Sequence, residues 1–307
     1  MTLPYIPSGY IHTPVTPFTP DDKINYRLLE RLIEFHIGQG AQAICAPAHI
    51  GESPSLTEEE QRQLIRAVIT TVSSRLPVIA HISRPGTKLT VDAARDAQQA
   101  GAAAIMMSPP YYWTPPAHMQ LEHFSQVAKS VDIPMLAYNA PSEMSGVALT
   151  TDFVTKLIER SPNFIGMVDL SLDWQFQIEM IPLAKKLRPA FTLISGSEYM
   201  VSMQAIGGSG SLTALSAIAP NLVRNLFGLC ALERYVDARQ TQFKVAELRQ
   251  LLKPWPVRAL KAAMEMMGRS VGDTRPPVMP LAIDEKRKLW GDLERSKILD
   301  SEPRGWV

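Results

Sequence analysis

The chain has 307 residues, 46% of them hydrophobic and 20% charged, with a formal net charge of +1. That balance describes an ordinary globular protein and points to neither nucleic acid nor an anionic membrane surface as a partner. No apolar run approaches the ~20 residues that span a bilayer, and the opening Met1-Thr2-Leu3-Pro4-Tyr5-Ile6-Pro7 lacks the basic and apolar regions of a secretory signal. A cytoplasmic protein is expected. Two cysteines, Cys45 and Cys230, lie far apart in apolar surroundings and are expected as buried free thiols.

Apolar runs of four to six residues alternate with amphipathic stretches of ten to sixteen. The first run is Tyr10 to Thr13. The stretch Tyr26 to Gln39 follows, with Leu28, Leu29, Leu32, Ile33 and Ile37 on one helical face, and it ends at Gly40. Next come Ala43 to Ala46 and a helix opened by Thr57, with Glu60 three residues on as a capping box. Pro77 to Ile82 reads as a third strand, with a helix from Leu89 to Ala100. Further strands are predicted at Ala104 to Met107, Met135 to Asn139, Phe164 to Val168, Phe191 to Ser195 and Ser211 to Ala214. Helices fall between them at 119–130, 151–160, 174–187 and 197–206, then at 220–234, 236–252 and 256–267.

Eight buried-type strands alternating with helices imply parallel pairing and a closed (β/α)₈ barrel, an α/β TIM barrel with a C-terminal helical extension. Length alone suggests about two domains, but an α/β barrel of ~250 residues folds as one unit. The barrel is expected over 1–218, with the last barrel helix and the helical segment over 219–307. Gly207-Gly208-Ser209-Gly210 reads as a tight turn into strand eight, since it lacks the lysine and the helix of a phosphate loop.

In such a barrel the reactive groups sit at the C-terminal ends of the strands and in the loops after them. That rule selects His12, His49, Glu52, His81, Tyr111, Tyr112, Tyr138, Glu143, Asp169 and Glu198. Imidazoles at His49 and His81 titrate near neutral pH and suit a base or a ligand. With Glu52 and Asp169 they have the makings of a metal site, but no compact metal motif is present, and no metal or cofactor is expected. Asp169 should point away from the barrel axis, one residue after an inward Val168. Tyr138 ends a buried strand, where a tyrosine of depressed pKa acts as general acid or base. His118 and His123 are expected at the surface.

Several loops together resemble the dihydrodipicolinate synthase / N-acetylneuraminate lyase family of keto-acid aldolases. They are Thr13-Pro14-Val15-Thr16-Pro17-Phe18, His49-Ile50-Gly51-Glu52-Ser53-Pro54-Ser55-Leu56, Pro110-Tyr111-Tyr112-Trp113, Tyr138-Asn139-Ala140-Pro141 and Gly272-Asp273-Thr274-Arg275-Pro276-Pro277. The resemblance implies the barrel, a small oxo-acid substrate and a homo-oligomer, a dimer or a tetramer of two tight dimers. It implies an imine on a strand-six lysine, a strand-five tyrosine as proton relay, and a strand-four tyrosine reaching in from a neighbouring subunit. Carried over, Tyr138 is the relay, Tyr112 the subunit-crossing tyrosine, and Gly51 and Glu52 shape the strand-two loop.

The chain departs from that pattern where the chemistry lies. Val168 stands where the family has its lysine, and a valine forms no imine. His49 and Ile50 replace the hydroxyl residues before Gly51, Glu143 falls where an arginine is common, and His81 replaces a strand-three glycine. The expected site is therefore catalytic Tyr138, Tyr112 and His49, with Ile50, Gly51, His81, Glu143, Val168 and Gly196 against the substrate. A lyase of this family working without a Schiff base is the first expectation. A non-catalytic ligand-binding relative, or a conventional pyruvate-dependent aldolase using another lysine, are the alternatives.

Overall fold

The computed structural model describes residues 7–143, 146–254 and 256–306; the N-terminal segment Met1 to Ile6 weighed above as a signal lies outside them. Eight parallel strands close on themselves in chain order: β1 (Gly9–His12), β2 (Ala43–Ala46), β3 (Val78–His81), β4 (Ala104–Met107), β5 (Met135–Asn139), β6 (Phe164–Asp169), β7 (Thr192–Ser195) and β8 (Gly210–Thr213). Closure leaves no unpaired sheet edge. Around them lie α1 (Tyr26–Gly38), α2 (Glu58–Val72), α3 (Thr87–Ala100), α4 (Ala117–Lys129), α5 (Thr151–Arg160), α6 (Trp174–Leu187), α7 (Met200–Ala205) and α8 (Pro220–Ala231), followed by α9 (Tyr235–Leu252), α10 (Pro256–Met266) and α11 (Ile283–Ser296). This is the α/β barrel with C-terminal helices read from the sequence. No helix among the described residues is long and apolar enough to cross a membrane.

Side chains alternate across each strand, as a period of two demands. Cys45, Ile79, Met106, Leu136, Tyr138, Val168 and Ile194 fill the barrel interior. Ala80, Ile105, Met107, Ala137, Met167 and Leu193 face outward and pack under the helices. The expected capping box is present: Thr57 Oγ1 accepts from Glu60 N at 3.1 Å, and Thr57 N donates to Glu60 Oε2 at 2.9 Å. Gly207 takes φ +91° in the turn before β8, and a Cβ on Gly210 would sit 2.4 Å from the Gly9 carbonyl oxygen, so strands β8 and β1 close only over glycine. Both thiols are free and buried.

Strand and helix ends match or shift by up to three residues, and one expectation needs correction. His123 is buried rather than at the surface; its Nδ1 lies 2.9 Å from Thr87 Oγ1 across the α3–α4 contact, and burial lowers its pKa to about 4. His118, by contrast, is exposed. The helix α11 had no separate expectation; only Leu289 and Leu293 of its fourteen residues are buried, and the rest of it is charged or polar for the most part.

Candidate active site

Strand β5 places Tyr138 inward at the C-terminal mouth of the barrel, almost fully buried. Its phenol donates to Oε2 of Glu143 at 3.1 Å. Glu143 sits in the turn just after the strand, held by its backbone N–H bonding to the Ala140 carbonyl at 3.0 Å. His49, in a 3₁₀ turn after β2, brings Nδ1 to 4.0 Å from the same Glu143 oxygen. That is beyond hydrogen-bond length but close enough for charge to be felt. Burial, then the negative charge and hydrogen bond of Glu143, hold the Tyr138 pKa well above 10. The tyrosine is thus a retained proton donor, not the acidified phenol the sequence suggested.

These three groups line a cavity of about 270 Å³. Ile50 and Gly196 line it too. Gly196 is forced by packing: its N–H donates to the Asp169 carbonyl at 2.7 Å, and a Cβ there would come 2.8 Å from Leu170 Cβ. The lining also includes Glu198 and Leu215 from the loops after β7 and β8, together with Arg249, Leu252 and Lys253 at the end of α9. Glu198 is buried; its Oε1 accepts from Thr213 Oγ1 at 2.7 Å, Ala214 N at 3.0 Å and Leu215 N at 3.1 Å, and its Oε2 pairs with Arg249. Burial alone would raise its pKa, but Arg249 and these donors outweigh it and leave the carboxyl below its ordinary value.

The other expected site residues lie outside the cavity lining. Val168, paired in register with Tyr138, is buried in the apolar barrel interior. His81 points into the barrel, but both ring nitrogens are engaged: Nδ1 lies 3.0 Å from the Pro47 carbonyl and Nε2 lies 2.9 Å from Ser83 Oγ. A carbonyl only accepts, so Nδ1 carries the proton and Nε2 accepts from the serine. The serine oxygen in turn accepts from Ser108 N at 2.8 Å. Burial lowers the His81 pKa to about 3. It is a neutral strut whose ring meets Tyr138 edge-on at 5.6 Å, not the substrate ligand expected.

Gly51 shapes the strand-two loop from behind, its carbonyl accepting from Thr16 Oγ1 at 2.5 Å. Glu52 turns away to a buried pair with Lys261, 2.7 Å, and its Oε2 accepts from Arg275 N at 2.8 Å. Arg275 also forks onto Glu60 with two bonds of 2.8 Å. The Gly272–Pro277 turn is therefore a clamp on the strand-two loop. Tyr112 is 82% exposed, with φ +75°, beside exposed Trp113. Asp169 points outward as expected, its carboxylate accepting from Asn139 Nδ2 at 2.6 Å, Gln177 Nε2 at 2.7 Å and Ser171 Oγ at 2.9 Å. His12 also faces outward, its Nδ1 2.9 Å from that of His36. The acidic and imidazole groups considered for a metal are thus dispersed, and no cluster of three such ligands occurs among the described residues.

Arg249, Leu252 and Lys253 were missed from sequence. The strand-end rule looks only at βα loops, and nothing in the pattern of α9 marks which turn of it reaches the barrel mouth.

A closed eight-stranded parallel barrel with its polar groups gathered at the strand C-terminal ends defines an α/β-barrel protein with an enzyme-type mouth. The chain belongs to the Dihydrodipicolinate synthetase family, which matches residues 6–296. It is 33% identical to a 4-hydroxy-tetrahydrodipicolinate synthase of Brachyspira hyodysenteriae over 273 residues, covering 87% of this chain and 90% of that one. A synthase of the same description from Sorangium cellulosum is 32% identical over 277 residues, covering 89% and 90%. Among solved structures, dihydrodipicolinate synthase from Aquifex aeolicus superposes with a TM-score of 0.89 at 28% identity, covering 95% of this chain and 99% of that one. A prophage protein of the dihydrodipicolinic acid synthase family from E. coli K12, in complex with pyruvate, gives the same four values.

Proposed function

We propose that this family member is a lyase acting on a small oxo acid or related carbonyl compound by acid–base chemistry, without a Schiff base at strand six. The observation that carries this is the Tyr138–Glu143–His49 array at the cavity wall, with a valine at residue 168 buried in the barrel interior beside Tyr138. The Glu143 carboxylate stands at the cavity wall, where it can act as a general base. A phenol kept protonated by burial is a donor for oxygen that gains charge as a neighbouring bond to carbon or hydrogen breaks. In this reading Glu143 takes the substrate proton and, once neutral, releases the Tyr138 hydroxyl to donate to the developing oxyanion, with the His49 ring beside the carboxyl. The relatives named synthases, and the neighbour bound to pyruvate, support an oxo-acid ligand.

One observation favours a second, covalent reading. Lys253 lines the same cavity and is the one lysine that does so among the described residues. Lys261, the one buried lysine, is instead engaged by Glu52 and by the Asp273 carbonyl at 2.9 Å. Incubation with pyruvate and borohydride, followed by peptide mass analysis, separates the readings. The acid–base account expects turnover that needs Tyr138 and Glu143 and leaves no reduced adduct. Binding of oxo acids without conversion under any condition would favour a non-catalytic relative.

A cytoplasmic homo-oligomer is part of the proposal. An exposed tyrosine–tryptophan pair with left-handed backbone at Tyr112 is costly on a free surface and suits a subunit contact. Sedimentation of wild type against Trp113→Ser tests it, with a lighter species expected for the variant.

A further inference from the structure

We infer that Lys253 is a specificity-determining residue that binds the carboxylate of an amphipathic substrate, one whose apolar stretch separates that carboxylate from the carbonyl at Tyr138. This rests on the proposed oxo-acid site and names its substrate class. The first support is the charge pattern of the cavity. Glu143 accepts from Tyr138, and Glu198 and Arg249 are paired with each other, with the guanidinium also stacked 5.0 Å over the Tyr199 ring. Lys253 is the one lining cation with no ion pair or hydrogen bond from its ammonium among the described residues. An anionic ligand therefore finds one unspent ammonium, and it lies at the C-terminal end of α9, whereas the phenol and its carboxylate lie on and just after β5.

The second support is the apolar lining of the same cavity. Leu170, Leu172, Leu212, Leu215, Leu252 and Leu260 all line the cavity. Leu172 is held at φ +58° while 61% exposed. A leucine rarely adopts the left-handed region, and such strain in a cavity rim marks a position kept for contact with a ligand. A compact, hydroxyl-rich acid would leave these leucines against polar groups, whereas a ligand with an apolar body covers them.

Calorimetric titration tests this with three probes: benzoylpropionate, in which two methylenes separate a ketone from the carboxylate, its methyl ester, and pyruvate. The proposal expects wild type to bind benzoylpropionate more tightly than pyruvate. Lys253→Met should weaken the acid by at least about tenfold, Lys253→Arg should restore most of that loss, and the ester should bind wild type and Lys253→Met alike. It is overturned if Lys253→Met binds the acid as wild type does, if the ester loses as much as the acid, or if pyruvate binds better or is the only acid to bind. Because binding is read without turnover, failure here is distinct from failure of the acid–base reading, which shows as undiminished turnover in Tyr138→Phe.

Discussion

His49 and His81 stand at the ends of neighbouring strand–loop units, and the sequence alone gives both the same standing at the barrel mouth. Yet His49 keeps its side chain 39% exposed at the cavity with Nδ1 facing a carboxylate, while His81 lies under the mouth with a carbonyl on one nitrogen and a hydroxyl on the other. The difference shows that what a strand-end imidazole can do is set by whether its nitrogens are already satisfied. An engaged neutral ring supports; one turned toward charge is available for chemistry.

The largest effects should come from the reactive side of that pair. Replacing Tyr138 by Phe or Glu143 by Gln is expected to lower turnover of an oxo acid found by screening about 10²–10⁴-fold, roughly 2.7–5.5 kcal/mol in the barrier. Binding of that acid should persist, so single-turnover and titration data together show whether chemistry or affinity is lost. Next comes the anchor of the loop that carries His49. Lys261→Met leaves the buried Glu52 carboxylate without its ion-pair partner, holding only the Arg275 N–H, and should destabilise the fold by about 3–5 kcal/mol in denaturant titration.

On the supporting side, His81→Ala strands the Pro47 carbonyl and the Ser83 hydroxyl, and a loss of about 1–3 kcal/mol in stability is expected. The pH dependence follows from the same burial. His81 and His36 have pKa values near 3, and His123 near 4, against 6.5 when unfolded. Below pH 6.5 the unfolded chain takes up protons that the folded chain refuses. Stability is therefore full above that point and falls with decreasing pH, by up to about 1.4 kcal/mol per histidine per pH unit, until the folded pKa is reached. Buried Asp169, with its pKa raised first by burial against the hydrogen bonds it accepts, opposes this trend. Unfolding measured from pH 7 to pH 4 should give a shallower slope in His81→Gln than in wild type. The smallest effect is expected for His49→Ala: stability within about 0.5 kcal/mol of wild type, although turnover falls.

Much of the frame was legible in the sequence because it rests on periodicities. The alternation that buries Tyr138 and Val168 inward and turns Asp169 outward follows from a strand period of two. The apolar stripe of α1 and the capping box at Thr57 are equally local signals. The site was legible only as a set of strand ends. Sequence could place His81 at the mouth but not reveal the Pro47 carbonyl and Ser83 that saturate it. Nor could it show Glu52 turning to Lys261, a partner 209 positions further along the chain by number. The end of α9 was missed for the same reason: its approach to the barrel depends on how α9 packs with α7 and α8, not on any pattern within it.

The direct test of whether the barrel mouth works without a covalent amine is borohydride reduction in the presence of pyruvate, read by intact and peptide mass. The account predicts unchanged mass at every lysine, in a sample that turns over substrate and loses that turnover in Tyr138→Phe. A stoichiometric reduced adduct on Lys253, or on any other lysine, would contradict it.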